Sequence, residues 1–248
     1  MLQPFWHQLT RLGELQLVLC VAAFAALVLI VRDRAWPLAR RWIALLLLAI
    51  VLTLASKLAF IGWGIGWASL DFTGVSGHAM MSAAVYPLTL VVLASARSRL
   101  AARSAFMLGL ALALLVGVSR VLVGAHSWSE VCAAWLLGLG VTGGTLRHHG
   151  VPLVRADTPA LFTMLVPALC IAGVWAMLAW PSSFNSHRMV TRLALALSGH
   201  AAPHTRAAWR PAPHGPRAPR QRPSQAHAVP PVLRGVGWRD VARTAAHG

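Results

Sequence analysis

Residues 42–61 read WIALLLLAIVLTLASKLAFI, twenty residues in which Lys57 is the only charged side chain. As an α-helix, a run of this length extends roughly 30 Å, which is the thickness of the hydrocarbon core of a bilayer. In lipid, every backbone polar group must be satisfied within the segment, and a helix satisfies them all internally. The sequence therefore predicts a membrane-spanning helix here.

Similar apolar runs lie on both sides of this stretch. The six runs are 15–31, 42–61, 79–96, 104–124, 128–146 and 159–180. Only 11% of the chain is charged, whereas a soluble domain carries about a quarter charged residues. The strands of a membrane barrel would be shorter and would alternate between apolar and polar residues. We therefore predict an all-α protein built as a six-helix transmembrane bundle.

The C-terminal part of the chain has a different composition. Residues 199–248 are rich in Pro, Arg, His and Ala and contain few large apolar side chains. Such a composition predicts disorder, because too little apolar surface is available to form a core. An arm bound to anionic lipid head groups is the alternative. We predict a transmembrane domain over residues 1–182 and a disordered, basic Arg/Pro-rich tail over residues 183–248.

The arginines between the apolar runs predict the orientation. The loops that follow the first, third and fifth runs contain Arg32, Arg34, Arg40, Arg41, Arg97, Arg99, Arg103, Arg147 and Arg155. Loops rich in Lys and Arg stay in the cytoplasm, so the opposite helix ends face the periplasm of a bacterium. We expect a multi-pass protein of the bacterial inner (plasma) membrane.

Polar residues are concentrated at the predicted periplasmic ends of the helices. They are Lys57, the segment Ser76-Gly77-His78, the pair Ser119-Arg120, and the pair His126 and Glu130. Polar groups in apolar spans are costly, so their positions are informative. Because six helices alternate in direction, all of these residues fall at one membrane face. This convergence predicts a functional site.

Several residues of this set are suited to binding a phosphate. Lys57 and Arg120 are two fixed cations, and a phosphate is the common ligand for such a pair. Ser76 and the Gly77 backbone add hydrogen-bond donors, and Gly77 permits a close approach of the backbone to a ligand. If Ser76 caps the third run, the free N–H groups of that helix also face the anion.

The remaining residues are suited to proton transfer and nucleophilic attack. His126 and Glu130 are four residues apart and therefore lie on one helix face. A carboxylate beside an imidazole fixes its tautomer and raises its basicity, which suits a histidine nucleophile. His78 is a second imidazole that can act as a general acid on the leaving oxygen.

The order and spacing of these residues resemble a known family. Lys57, then Ser76-Gly77-His78, then Ser119-Arg120-x5-His126-x3-Glu130 looks like the three motif blocks of the type-2 phosphatidic acid phosphatase superfamily. The third block is the most specific, since four positions match in spacing. The resemblance covers about residues 55–145, and its membrane members also have six helices.

The resemblance implies a metal-independent phosphatase that acts on a lipid phosphate or polyprenyl diphosphate. His126 would attack phosphorus and form a phosphohistidine, Glu130 would orient it, and His78 would protonate the leaving group. The residues implied to bind the phosphoryl oxygens are Lys57, Ser76, Gly77, Ser119 and Arg120. No cofactor, metal or nucleic acid is implied. The expected partners are a lipid phosphate substrate and membrane lipids, and the sequence indicates no oligomeric state.

The chain departs from the family pattern in its first block. Seven residues after Lys57 the family has Arg-Pro, whereas this chain has Gly64-Ile65. One phosphate-binding cation is therefore missing, and the sequence offers no obvious substitute Arg nearby. Val75 replaces a Pro of the second block, and Glu130 replaces an Asp. With these departures, weak activity and an unusual substrate are both open alternatives.

Other interpretations of the same residues stay open at this point. Lys57 can be a residue that extends from a helix end toward the interface, and His78 and His126 can be interfacial histidines without chemistry. His126 and Glu130 can form half of a metal site, although no third ligand beyond His78 is obvious. As functions, the alternatives are a relative that binds lipid phosphate without turnover, a metal-dependent membrane hydrolase, and a transporter.

Overall fold

The structure, a computed structural model, describes residues 3–31, 35–94, 98–149, 172 and 186–209. Within them the longer elements are the helices α1 (Gln3–Arg11), α2 (Leu15–Val31), α3 (Trp36–Trp63), α4 (Gly77–Ala94), α5 (Arg99–Leu122), α6 (Trp128–His149) and α7 (Ser186–Ser198). Two short 3₁₀ turns follow α3 and α7, at Ala68–Leu70 and Arg206–Trp209. The predicted all-α class is confirmed for these residues.

Five of the six predicted apolar runs coincide with helices α2 to α6. By length and hydropathy, α3, α4 and α5 can each cross a membrane, and α1 with α2 form a fourth candidate that is bent by 42°. These are the helices of an integral membrane protein. The sixth predicted run, residues 159–180, lies outside the described residues, so the count of six spans stays a prediction.

Helix α4 is the central helix of the bundle. It contacts α2, α3, α5 and α6, and Ala79, Ala83 and Ala84 are fully buried. In its most apolar window 72% of the residues are buried, against 22% in α3 and 28% in α5. The two outer helices therefore expose apolar faces, as expected of helices that contact lipid.

A proline inside α4 is accommodated by side chains from two neighbouring helices. Pro87 has no N–H, so the carbonyl of Ala83, four residues earlier, loses its partner within the helix. The Thr142 hydroxyl donates to that carbonyl at 2.9 Å, and the Trp42 indole donates to the next one, Ala84 O, at 3.0 Å. In a membrane such compensation is required, because no water satisfies the free carbonyl.

Two glycines of α6, Gly138 and Gly140, give a test of the packing. A Cβ on Gly138 would lie 2.4 Å from Met80 O and 2.7 Å from the Ala83 Cβ, whereas one on Gly140 would meet nothing within 4 Å. Overpacking a tight contact costs about 1–3 kcal/mol. We expect Gly138→Ala to lower the melting temperature in detergent and Gly140→Ala to leave it unchanged. Equal melting temperatures for the two variants would contradict this packing.

The C-terminal region differs from the prediction. Residues 186–209, predicted as part of the disordered tail, form α7 and the 3₁₀ turn at Arg206–Trp209. The reason is a small apolar cluster in which Ala194 is fully buried against Phe60 and Ile61 of α3. Trp209 joins this cluster, and its ring centroid is 5.0 Å from that of Phe60. Residues 183–185 and 210–248 lie outside the described part.

Candidate active site

A cavity of about 770 Å³ lies where the C-terminal ends of α3 and α5 meet the N-terminal end of α4. Five of the residues predicted from the sequence line it: Lys57, Gly77, His78, Arg120 and His126. They come from three helices and the loop before α6, so helix packing brings together residues that are up to 69 positions apart in sequence. The predicted convergence is therefore present in the structure.

His126 is held in a short loop between α5 and α6. The amides of Ala125 and His126 both donate to Arg120 O, at 3.0 and 3.1 Å, and Gly124 provides the positive φ of 71° that the turn requires. Nδ1 of the imidazole lies 2.7 Å from Oε2 of the fully buried Glu130. This contact leaves Nε2 as the ring nitrogen available to a ligand.

The environment of His126 keeps its imidazole neutral at neutral pH. Burial lowers the pKa of His126, and the cations Lys57 and Arg120 lower it further, while the hydrogen bond and charge of Glu130 partly oppose this. The lowered pKa is the net result. A neutral imidazole retains the lone pair that a nucleophile needs.

Glu130 connects His126 to the loop between α3 and α4. Its Oε2 also accepts the Ser127 amide at 3.1 Å. Its Oε1 accepts the Thr73 amide at 2.7 Å and the Thr73 hydroxyl, and it pairs with Nη2 of Arg206 at 2.8 Å. The carboxylate is therefore fixed on both oxygens. Thr73 was not predicted from the sequence, because nothing in its neighbourhood indicates a contact 57 residues away.

The two predicted cations lie in the same cavity. A Cβ on Gly77 would be 3.9 Å from Lys57 Nζ, which places the ammonium beside the start of α4. Nη1 of Arg120 donates to the Thr10 hydroxyl at 2.8 Å. Its Nε is buried and has no hydrogen-bond partner among the described residues. An anion in the cavity would supply a partner for such a group.

The two predicted serines are not among the residues that line the cavity. Ser119 is buried and donates its hydroxyl to Val116 O of its own helix at 2.6 Å. Ser76 directly precedes α4 as predicted, but its buried hydroxyl has no partner in the described part of the chain and caps no amide there. A ligand in the cavity can therefore contact Gly77 but not the hydroxyls of Ser76 and Ser119.

A third cation, Arg206, also lines the cavity. It comes from the turn after α7, and besides Glu130 it contacts Asp71, with Nε 3.1 Å from Oδ1. The sequence offered no substitute for the missing Arg near Lys57, and Arg206 is indeed distant from Lys57 in sequence, yet both residues line the same cavity. Asp71 belongs to the same ion-pair network as Glu130.

Residues 66–151 match the family model of the PAP2 superfamily. This match confirms the resemblance to the type-2 phosphatidic acid phosphatases, and it includes the segment Ser76-Gly77-His78 and the block from Ser119 to Glu130. The matched residues include neither Lys57 nor Arg206, so these two cations are placed by the structure and not by the family model.

One relative extends the match beyond that region. It is an uncharacterized 22.5 kDa protein in the cps region of Klebsiella pneumoniae, 41% identical over 133 residues. The alignment covers 54% of this chain and 64% of that protein, so the chain spans less than two thirds of the relative. No solved structure matches the chain significantly.

Gly64 stands at the position where the resemblance implies an Arg, and its backbone conformation disfavours a side chain. Its φ is +70°, and a Cβ there would lie 2.9 Å from Cδ2 of His204. A non-glycine residue in this conformation costs about 1–2 kcal/mol. We expect Gly64→Arg to lower the melting temperature and not to raise the activity. Gly199→Arg is the control for the backbone conformation alone, because Gly199 has a similar φ of +72° but no atom within 4 Å of an added Cβ. A Gly64→Arg variant that is as stable as wild type would refute this account.

Proposed function

We propose that the protein is a membrane phosphatase that hydrolyses a phosphate monoester or diphosphate on a lipid. The observation that carries the proposal is the contact of His126 with the buried Glu130, in a cavity that Lys57 and Arg120 also line. This arrangement combines an oriented neutral imidazole with two cations suited to phosphoryl oxygens. The family match supports the reaction class, and the finer assignments below are part of the proposal.

The first half of the proposed reaction forms a phosphohistidine. Nε2 of His126 attacks phosphorus, and the bond between phosphorus and the leaving oxygen breaks. His78 donates a proton to that oxygen. Glu130 keeps the Nδ1 proton in place and stabilises the positive charge that develops on the imidazole. The charge that builds on the equatorial oxygens is balanced by Lys57 and Arg120.

The second half returns the enzyme to its starting state. His78, now neutral, takes a proton from a water molecule whose oxygen attacks the phosphorus. The bond between Nε2 of His126 and phosphorus breaks, and inorganic phosphate leaves. Backbone N–H groups at the start of α4, next to Gly77, can donate to the phosphoryl oxygens in both halves.

The walls of the cavity support a lipid as the substrate. Apart from the polar residues, the cavity is lined by large apolar side chains, among them Ile50, Leu54, Met80 and Met81. An acyl or polyprenyl chain can lie along this surface while its phosphate meets the cations. We further propose that the site faces the periplasm of the bacterial inner membrane in a multi-pass protein, because Arg40, Arg41, Arg99 and Arg103 lie at the opposite ends of α3 and α5 from the site.

The test is phosphate release by the purified full chain in detergent, with phosphatidic acid and a polyprenyl diphosphate as substrates. We expect release that is inhibited by vanadate and insensitive to a chelator, and a phosphoprotein that acid quenching traps on histidine. Sensitivity to chelator with insensitivity to vanadate would replace the proposal by a metal-dependent hydrolase. Binding of lipid phosphate without release would indicate a relative that does not turn over.

A further inference from the structure

The segment formed by residues 186–209 is a wall of the active-site cavity. It contributes Val190, Thr191, His204 and Arg206, among others, to the lining. This segment lies outside the 66–151 region that matches the superfamily. Its contribution to the site is therefore a property of this chain that the family match does not describe.

The segment is fixed to the C-terminal end of α3 by several independent contacts. His204 N donates to Ile61 O at 3.0 Å, and the His200 ring nitrogen Nδ1 lies 2.7 Å from Gly62 O. These two carbonyls are at the end of α3, where a helix has no internal partners for them. The contacts therefore satisfy the helix end and hold the turn at Arg206–Trp209 against the cavity.

Arg206 is the charged residue that this arrangement delivers. Its Nε pairs with Asp71, and its Nη2 pairs with Glu130 and lies 3.3 Å from the Thr73 hydroxyl. All of its hydrogen bonds and ion pairs within the described residues are made through Nε and Nη2, and none through the third nitrogen, Nη1. The side chain is 24% exposed and lines the same cavity as His126. A guanidinium held on two nitrogens presents its third in a fixed geometry.

The position of the segment is connected with the missing Arg of the first block. His204 lies where a side chain on Gly64 would begin. The segment 186–209 thus occupies the space beside position 64 with His204, and Arg206, two residues after His204, lies in the site. The close contact at position 64 and the position of Arg206 in the cavity both result from the packing of this segment.

We propose that Arg206 binds the phosphoryl group of the substrate through Nη1 and takes the role of the cation that the first block lacks. This inference rests on the proposed function. Together with Lys57 and Arg120 it provides three cations, which suits a phosphate that carries two or more negative charges. Its pairing with Glu130 and Asp71 also reduces the repulsion between these carboxylates and the incoming anion.

The experiment measures binding as well as turnover, on the full chain in detergent. The dissociation constant of inorganic phosphate is determined by titration calorimetry for wild type, Arg206→Ala and Arg206→Lys, and kcat/KM is determined with phosphatidic acid. We expect Arg206→Ala to weaken phosphate binding at least about tenfold, as for a lost charge-assisted hydrogen bond, and to lower kcat/KM about a hundredfold or more. For Arg206→Lys, both quantities should lie between those of wild type and those of Arg206→Ala.

Two controls separate binding from a structural role. Arg192→Ala removes an exposed arginine of α7 and should behave as wild type. Asp71→Asn removes one ion pair of Arg206 but leaves the positive charge of Arg206 in place. This variant should change the phosphate dissociation constant less than about threefold. If Arg206 only fixed the tail, Asp71→Asn and Arg206→Ala would have similar effects, and the inference would be wrong. Melting temperatures show whether Arg206→Ala folds. If it does not fold, the phosphate affinity of Arg206→Lys decides between the binding role and the structural role.

The outcomes distinguish this inference from the proposed function. Phosphate binding that depends on Arg206, without any hydrolysis by wild type, would refute the hydrolase and keep the binding role. Hydrolysis by wild type together with unchanged phosphate affinity in Arg206→Ala would refute the binding role and keep the hydrolase. A wild-type protein that neither binds phosphate nor hydrolyses the lipid would overturn both.

Discussion

Replacement of His126 by alanine should lower kcat/KM for a lipid phosphate by at least about a thousandfold, because removal of a nucleophile leaves only binding and electrostatic effects. The acid-quenched phosphoprotein should disappear as well. Binding of inorganic phosphate should persist, since Lys57, Arg120 and Arg206 remain. Steady-state kinetics, trapping of the phosphoenzyme and phosphate titration measure the three quantities.

The matched control for this variant is His7→Ala, which removes an exposed histidine of α1. It should leave activity and phosphoenzyme unchanged. If His126→Ala still forms a phosphohistidine, another imidazole is the nucleophile, and His78, which lines the same cavity, is the first to test. If His126→Ala loses phosphate affinity to the same degree as activity, His126 is a binding residue.

Replacement of Glu130 by glutamine should lower kcat by about a hundredfold to ten-thousandfold. In the catalytic triad of serine proteases, the same change of carboxylate to amide beside the histidine lowers kcat about ten-thousandfold, because the imidazole then adopts the wrong tautomer. Here the amide also leaves Arg206 without its buried anionic partner, 2.8 Å away. The side chain keeps its size, so the melting temperature should fall less than in Glu130→Ala, which leaves a buried cavity and an unpaired charge.

A double-mutant cycle tests whether Glu130 acts through His126. If it does, the double variant His126→Ala/Glu130→Gln should be no slower than His126→Ala alone, because residues of one unit are not additive. Additive losses would show that Glu130 contributes separately, for example through Thr73 or Arg206. Glu130→Asp should be intermediate, since the shorter side chain cannot reach all four residues that Glu130 contacts, His126, Ser127, Thr73 and Arg206.

The positions of helices α2 to α6 could be predicted from the sequence because membrane spans are defined by length and hydropathy. The clustering of Lys57, His78, Arg120 and His126 could also be predicted, since alternation of the helices places them at one end. Their individual contacts could not. Whether Ser119 donates into the cavity or to its own helix depends on the rotation of α5, and spacing alone does not determine that rotation.

Helix α7 was missed for a different reason. The composition of the tail is dominated by residues 199–248, and it masked a short amphipathic pattern in which Met189, Val190, Leu193, Ala194 and Leu197 follow helical spacing. That pattern, and Trp209 as a large apolar residue in a basic tail, were the available signals. Arg206 itself could not be selected among the other arginines of the tail, because only packing against α3 distinguishes it.

The origin of one site residue in the turn after α7 has a consequence for biosynthesis. A ribosome makes α3, α4 and α5 first, and these helices can enter the bilayer while the turn at Arg206–Trp209 does not yet exist. If Arg206 is needed for activity, the nascent chain is inert toward the lipids that surround it during insertion. The proposed activity then begins only after residue 206 has been synthesised and the turn has docked against the end of α3.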